Sequence, residues 1–301
     1  MTEADLPAAV RALAAERRFE RLRPAGGGVE FQVFEAAAPD GSKVVLRFPP
    51  GGRYQSNPND REVDTRSLLR WEYAVAQHLA GLGFPVAAPR ELVLGEPDVL
   101  VSDFITDDAG GADQAALGAL LLRLHHCPLP PVRPPAATRG QPAARLVPGR
   151  MAMRFAELAA LVLALPAAPP AGQLTAVLAP RPAGSLLHLD VRAPNLRCTG
   201  GTVRALLDWS NALTGDPAME LARLAEFALL PGNGLDYDAI LDGYRAAVPV
   251  DSAAFWIYRL DAAVMLALLF NSEAAHAALG PRSVDRLREV HQRLNRKLGS
   301  A

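Results

Sequence analysis

A chain of 301 residues, half of them hydrophobic, is long enough to fill a core in each of two lobes. Its 31 basic and 32 acidic residues leave a formal net charge of −1, which argues against nucleic acid held by bulk electrostatics. Two cysteines, Cys127 and Cys198, lie far apart and set up no disulfide framework.

Taken in order, the N-terminal MTEADLPAAV lacks the charged-then-apolar pattern of an export signal. Thr2 followed by Asp5 predicts a helix start, with Leu6, Val10 and Leu13 on one face. Gly26, Gly27 and Gly28 interrupt the chain, and residues 30–35 then alternate as a strand. Such a glycine loop lets bare backbone approach phosphate; it serves equally well as a flexible turn. After the turn Pro39-Asp40-Gly41-Ser42, a return strand places Val44, Leu46 and Phe48 on one face and Val45 and Arg47 on the other. Residues 51–60 are polar and turn-rich, which predicts a mobile loop.

A helix is expected over about 64–82, with Leu68, Val75, Ala76 and Leu79 along one face. Glu72 falls within that face, one turn from Leu68. A buried carboxylate needs a cation, and Arg47 is the natural one; otherwise Glu72 sits at the stripe's edge in water. Strands are predicted over 91–94 and 99–105, about the turn Gly95-Glu96-Pro97-Asp98. Residues 107–113, DDAGGAD, read as a linker, with Asp113 capping a helix that carries Leu117, Leu120, Leu121, Leu124 and a structural His125 on one face.

Residues 127–187 are proline-rich, with helical patterns at about 150–165 and again up to 178. Six arginines there (Arg133, Arg139, Arg145, Arg150, Arg154 and Arg181) face one acid, Glu157. They form either a solvated positive face or part of a binding surface. Asp216 and Pro217 mark a further helix start, and later helices are expected over 237–247, 252–279 and 283–298. The longest apolar run among them, residues 262–270, is too short to cross a bilayer, so no membrane partner and a cytoplasmic location are expected.

The chemistry concentrates in residues 187–210, LHLDVRAPNLRCTGGTVRALLDWS. His188, Asp190, Arg192 and Asn195 precede a Gly200-Gly201 turn, and the strand after it stops at Asp208. A carboxylate to deprotonate a hydroxyl, with further oxygens to hold magnesium, is the equipment of phosphoryl transfer. The spacing His188-x-Asp190-x4-Asn195, followed by Asp208 and Gly215-Asp216-Pro217, resembles the aminoglycoside phosphotransferase and choline kinase family.

That resemblance implies an α+β, two-lobed protein-kinase-like fold. Residues 1–106 would form a small β-rich nucleotide-binding lobe, and residues 107–301 a larger, mostly helical lobe for catalysis and acceptor binding. It implies Asp190 as catalytic base and Asn195 and Asp208 as Mg2+ ligands. Arg47, paired with Glu72, would meet the nucleotide phosphates under Gly26, Gly27 and Gly28. Ser102, Asp103, Phe104 and Ile105 would be the hinge that receives the nucleobase, with ATP and GTP both open. His188, Arg192 and Asp216 would be structural supports, Asp216 bracing the catalytic loop, and Glu220 takes the place of a frequent Asp. Leu189 stands where many relatives have glycine, which is tolerable if that residue is not forced to positive φ.

The implied activity is transfer of the γ-phosphate of ATP or GTP to a hydroxyl of a small molecule. A nucleotide-binding protein without transfer would have no need of Asp190, and a metal hydrolase built on His188, Asp190 and Asp208 leaves Asn195 unexplained. The basic segment 127–187 points to a neutral or anionic acceptor, such as a sugar, a nucleoside-type natural product or a phosphate- or carboxylate-bearing metabolite, rather than a polycationic aminoglycoside, and leaves inactivation of an uncharged or weakly charged antibiotic open. Asp236, Asp238 and Trp256 are further candidates to line the acceptor cleft.

Overall fold

The computed structural model describes residues 6–28, 30–57, 60–132, 142–246, 249–272 and 274–299. In chain order the first lobe comprises α1 (Ala8–Glu16), β1 (Glu20–Gly27), β2 (Gln32–Ala37), β3 (Lys43–Phe48), β4 (Tyr54–Asn57), β5 (Asp60–Asp64), α2 (Thr65–Gly81), β6 (Pro89–Val93) and β7 (Val99–Asp103). Helix α1 starts after Pro7, and the expected start at Thr2 and Asp5 lies outside the described residues. Five strands form an antiparallel sheet in the order β1-β2-β3-β7-β6.

Alternation on β3 sends Val44, Leu46 and Phe48 into a core with Phe34, Ala36, Val99, Val101 and the Leu6–Val10–Leu13 face of α1. Arg47 is left on the opposite face, toward α2. Strand β1 was not expected: ERLRPAGG has no apolar alternation, and only Leu22 is buried along it. The polar stretch expected to be a mobile loop instead contributes the β4–β5 hairpin. Polar contacts at its base replace an apolar face, with Arg53 pairing with Asp64 at 2.8 Å and the Thr65 N–H donating to the Arg53 carbonyl at 2.9 Å. At the hairpin's far end Arg61 pairs with Glu157 of the other lobe.

The second lobe comprises α3 (Gln114–His125), α4 (Ala143–Ala159), α5 (Ala171–Leu178), β8 (Ser185–Leu187), β9 (Leu196–Thr199), β10 (Thr202–Leu206), β11 (Leu213–Gly215), α6 (Pro217–Phe227), α7 (Tyr237–Tyr244), α8 (Ala253–Asn271) and α9 (Leu279–Gly299). Asp113, Asp216, Asp236 and Ser252 each accept a backbone N–H at a helix start, at 2.9, 3.0, 3.1 and 3.2 Å. Helix α4 begins well before the expected residue 150 and carries Pro148 inside it. One lost backbone bond is outweighed by a buried stripe of Val147, Met151, Phe155 and Leu158.

Helices α3 and α7 cross at Gly118 and Gly243, where a Cβ on the first would overlap the Ile240 carbonyl and on the second the Ala115 carbonyl. Helix α8, at 19 residues, is long and apolar enough by composition to cross a membrane, contrary to the expectation from its shorter apolar run. Its most apolar window is 72% buried inside the lobe, the position of a core helix.

Candidate functional site

Strands β9 and β10 form a tight hairpin, with Thr199 paired to Thr202 and both intervening glycines at positive φ, 55° and 79°. The hairpin presents residues 188–195 on one side and Asp208 on the other. Two bonds stitch these ends together: His188 Nε2 bonds to the Leu207 carbonyl at 2.9 Å, and the Leu207 N–H donates to the Asn195 carbonyl at 2.8 Å. His188 is fully buried, its ring edge-on to Trp209 with centroids 4.6 Å apart. Its Nδ1 accepts the Asp190 N–H at 3.1 Å, so Nε2 carries the proton, and burial pushes the imidazole pKa down. It is a neutral strut.

The Asp190 carboxylate is pinned at both oxygens. Arg192 donates to Oδ1 at 3.0 Å, and Asn195 donates to Oδ2 at 2.8 Å and to the Asp190 carbonyl at 2.8 Å. Three expected site residues thus meet in one buried turn, and Asn195 keeps its Oδ1 for a further partner.

Leu189 has φ 63°, the left-handed conformation under which its presence was expected to be costly. For a residue with a Cβ that costs about 1–2 kcal/mol. The loop is held in this shape by Glu220 of α6, which accepts the His188 N–H at 2.5 Å and the Leu189 N–H at 2.8 Å. Glu220 is 1% exposed, with His125 Nε2 3.7 Å away. Burial works against its charge, yet His125, His188 and the loop amide hold its pKa below the ordinary range. His125 is fixed in turn by the Tyr244 hydroxyl at 2.7 Å. The brace expected from Asp216 therefore comes from Glu220. Asp216 caps α6 and pairs with Arg181 at 2.7 Å, away from the loop. A carboxylate inside an apolar helix face, one turn into α6, was the signal that sequence reasoning passed over.

Across the cleft Arg47 bridges two carboxylates. Nη1 donates to Glu72 at 2.9 Å and Nη2 to Asp208 at 2.8 Å, with the guanidinium 4.4 Å from the Phe31 ring centroid. Burial opposes the charge on Arg47, but Asp208 and Glu72 hold its pKa above the usual range. Burial likewise pushes Glu72 up to about 7 against Arg47. Asp208, whose Oδ1 also accepts the Ser210 hydroxyl at 2.6 Å, is held down at about 2 despite burial. Arg47 Nε and Glu72 Oε2 are buried and have no partner among the described residues. Asp208 itself sits at φ 64°.

The remaining expected residues lie around this centre without bonding to it. The Gly28 N–H donates to the Phe31 carbonyl at 2.8 Å, which ties the glycine turn to the ring under Arg47, and Gly26 alone of the three has a positive φ, 147°. Ser102 and Asp103 end β7, the Phe104 N–H donates to the Lys43 carbonyl at 3.2 Å, and Ile105 follows. Asp236 is spent as the α7 cap, and Trp256 lies between Arg259 and Arg293, at 4.9 and 5.4 Å from their guanidinium carbons.

The basic surface expected of residues 127–187 largely disappears. Arg150 and Arg154 both pair with Asp261 of α8, Arg181 pairs with Asp216, and Arg145 is exposed. Arg133 and Arg139 lie outside the described residues. The partners of Arg150 and Arg154 come from more than 100 residues away.

A small antiparallel lobe joined to a helical lobe, with this loop and hairpin between them, is the architecture of a kinase-type phosphotransferase. The chain belongs to the phosphotransferase enzyme family (APH), whose model matches residues 21–255. A search of the curated proteins returns no match. Solved structures share the fold at low identity. Macrolide 2'-phosphotransferase MphH from Brachybacterium faecium is 20% identical over 93% of this chain and 98% of its own, with a TM-score of 0.53. Aminoglycoside phosphotransferase APH(4)-Ia is 14% identical over 97% of this chain and 98% of its own, with a TM-score of 0.60. A thermostable mutant of that enzyme, in a ternary complex with AMP-PNP and hygromycin B, has a TM-score of 0.63 at 14% identity over 95% of this chain and 99% of its own.

Proposed function

We propose that the protein transfers the γ-phosphate of ATP or GTP, with Mg2+, to a hydroxyl of a small molecule. One observation carries the reading: Asp190, pinned at both oxygens, is stitched through Leu207 to Asp208, and Asp208 is joined by Arg47 to Glu72. A base, an ionised oxygen ligand and a phosphate-directed cation thereby share one cleft.

Asp190 accepts the proton of the acceptor hydroxyl as the new P–O bond forms and the bond to the β-phosphate oxygen breaks, releasing ADP or GDP. The two bonds on its carboxylate fix it for that step, so most of the catalytic contribution is positioning. Asn195 Oδ1 and Asp208 are the residues to hold magnesium. Both are oxygen donors, and magnesium is content with one or two protein oxygens alongside phosphates. When bound, the ion supplies charge neutralisation on the phosphates. Arg47, held between Glu72 and Asp208, is the cation to meet the same phosphates, and the end of β7 with residues 104 and 105 is the segment to receive the base through its backbone.

The test is ADP release measured across a panel of hydroxylated acceptors, with Asp190→Ala alongside. Turnover should vanish in the variant while ADP still binds, because Asp190 meets the acceptor and not the nucleotide. A variant that retains most of the wild-type rate refutes the assignment.

A further inference from the structure

Helices α4 and α6 both pack on α8, and buried polar side chains from all three gather within the second lobe. On α8, Asp261 accepts Arg150 Nε at 2.9 Å and Arg154 Nη1 at 3.1 Å, both from α4. One turn further along α8, Met265 meets Arg223 of α6. Arg223 is 8% exposed, and its one polar contact among the described residues is Nη2 to the Met265 sulfur at 2.7 Å. Its Nε is buried without a partner, as is that of Arg154, and the guanidinium carbon lies 5.3 Å from the Phe227 ring centroid. Arg150 and Arg154 thus share one carboxylate, while Arg223 contacts none among the described residues.

A thioether is a weak acceptor, and a buried cation without a carboxylate is a costly arrangement for a fold to keep. Its position gives it a use. Arg223 stands one turn beyond Glu220, the residue that holds the amides of His188 and Leu189 beneath Asp190. Burial pushes the Arg223 pKa down, helped by Arg150, while Asp190, Asp261 and Glu220 pull it up.

We propose that Arg223, supported by Arg150 and Arg154, forms an oxyanion subsite of the acceptor pocket, and that the hydroxylated acceptor therefore carries a phosphate or carboxylate group. The inference rests on the phosphotransferase reading above; it keeps Arg150 and Arg154 of the proline-rich segment and turns on Arg223 of α6. A planar, always-charged guanidinium suits such a group. A polycationic acceptor would be repelled by the same cluster.

The test uses the full-length protein with the nucleotide site saturated by ADP, and inorganic phosphate as probe. Phosphate should stabilise the wild type, bind at least tenfold more weakly to Arg223→Met, and bind Arg223→Lys with intermediate affinity. In anion-free buffer Arg223→Met should melt higher than the wild type, because it removes an unpaired buried charge and keeps the volume; a structural arginine would give the opposite sign. Equal phosphate affinity in the wild type and Arg223→Met overturns the proposal. Matched acceptors then extend it: glucose against glucose 6-phosphate, glycerol against glycerol 3-phosphate, and kanamycin. The phosphorylated member of a pair should lead in kcat/KM by at least tenfold, a lead lost in Arg223→Met with the nucleotide KM unchanged. Equal kcat/KM for the phosphorylated and neutral members of each pair in the wild type sinks the subsite alone, whereas a wild type that fails to bind ADP sinks the phosphotransferase reading itself.

Discussion

Glu220 offers the sharpest test of how the catalytic loop is built, because two buried backbone N–H groups depend on one side chain. Replacing it with alanine leaves the His188 and Leu189 amides without their acceptor at a site 1% exposed. A hydrogen bond to a charged group contributes about 1.5–3 kcal/mol, and an orphaned buried donor costs about 1–3 kcal/mol. Two such losses place Glu220→Ala about 3–5 kcal/mol below the wild type. Glu220→Gln is the more informative variant. Its amide keeps one acceptor oxygen and turns an NH2 toward the other loop N–H, so it should lose about 2–3 kcal/mol with no change of volume. The assay is chemical denaturation together with hydrogen exchange at His188 and Leu189, whose amides should exchange faster in the glutamine variant while those of β3 are unchanged. With an acceptor in hand, kcat should fall at least tenfold with the nucleotide KM nearly constant, since a displaced base loses positioning before binding. A Glu220→Gln protein with wild-type stability and wild-type exchange at both amides would refute the bracing argument.

Two further outcomes follow from the same cleft. At Leu189 the usual order of glycine and alanine should invert: Leu189→Gly should be more stable than Leu189→Ala by about 1 kcal/mol, because φ 63° penalises any Cβ, and the reverse order by denaturation would show that the backbone relaxes. Glu72 binds its proton more tightly folded than unfolded, because burial, helped by the Asp208 charge, outweighs the pull of Arg47. Its contribution to stability is fully present below pH 4.5 and is lost as pH rises through about 7, a span equivalent to about 3 kcal/mol. The stability of the wild type relative to Glu72→Gln, without nucleotide, should therefore fall between pH 5 and 8; a flat difference would mean that Glu72 stays ionised throughout.

What the sequence made legible was local or periodic. The loop from His188 to Asn195 folds on itself within eight residues, and the phase of α2 with the family resemblance placed Glu72 on the face of Leu68, Val75, Ala76 and Leu79, so Arg47 as its partner was within reach, although Leu69 rather than Leu68 is the leucine that is fully buried. Less was legible where contacts are distant or polar. Strand β1 has one buried side chain, and the β4–β5 hairpin is held by an ion pair at its base, so neither carries an apolar rhythm. Pro148 read as a helix boundary although the buried stripe of α4 runs through it. The six arginines of the proline-rich segment looked like a surface because Asp261 and Asp216, which take up three of them, belong to elements that sequence spacing cannot bring near.

The crossing of α3 and α7 at Gly118 and Gly243 has a mechanical consequence. Backbone meets backbone there, with no side chain between to absorb a shift, so the two helices are geared together and neither slides without the other. Tyr244 follows directly on Gly243, and it grips His125 at the end of α3, which stands beside Glu220 under the catalytic loop. Because α3 also receives the linker from the first lobe, a tilt of that lobe is transmitted to the base as rotation of one stiff block rather than as deformation of the loop. Compliance is then confined to residues 104–113, which are pinned to the β9–β10 hairpin by Asp107 and Asp108 through the Cys198 and Gly200 amides at 3.1 and 2.6 Å. The spacing of Asp190 from Leu207 and Asp208 is set inside the second lobe, by the His188–Leu207 and Leu207–Asn195 bonds, and does not depend on the linker.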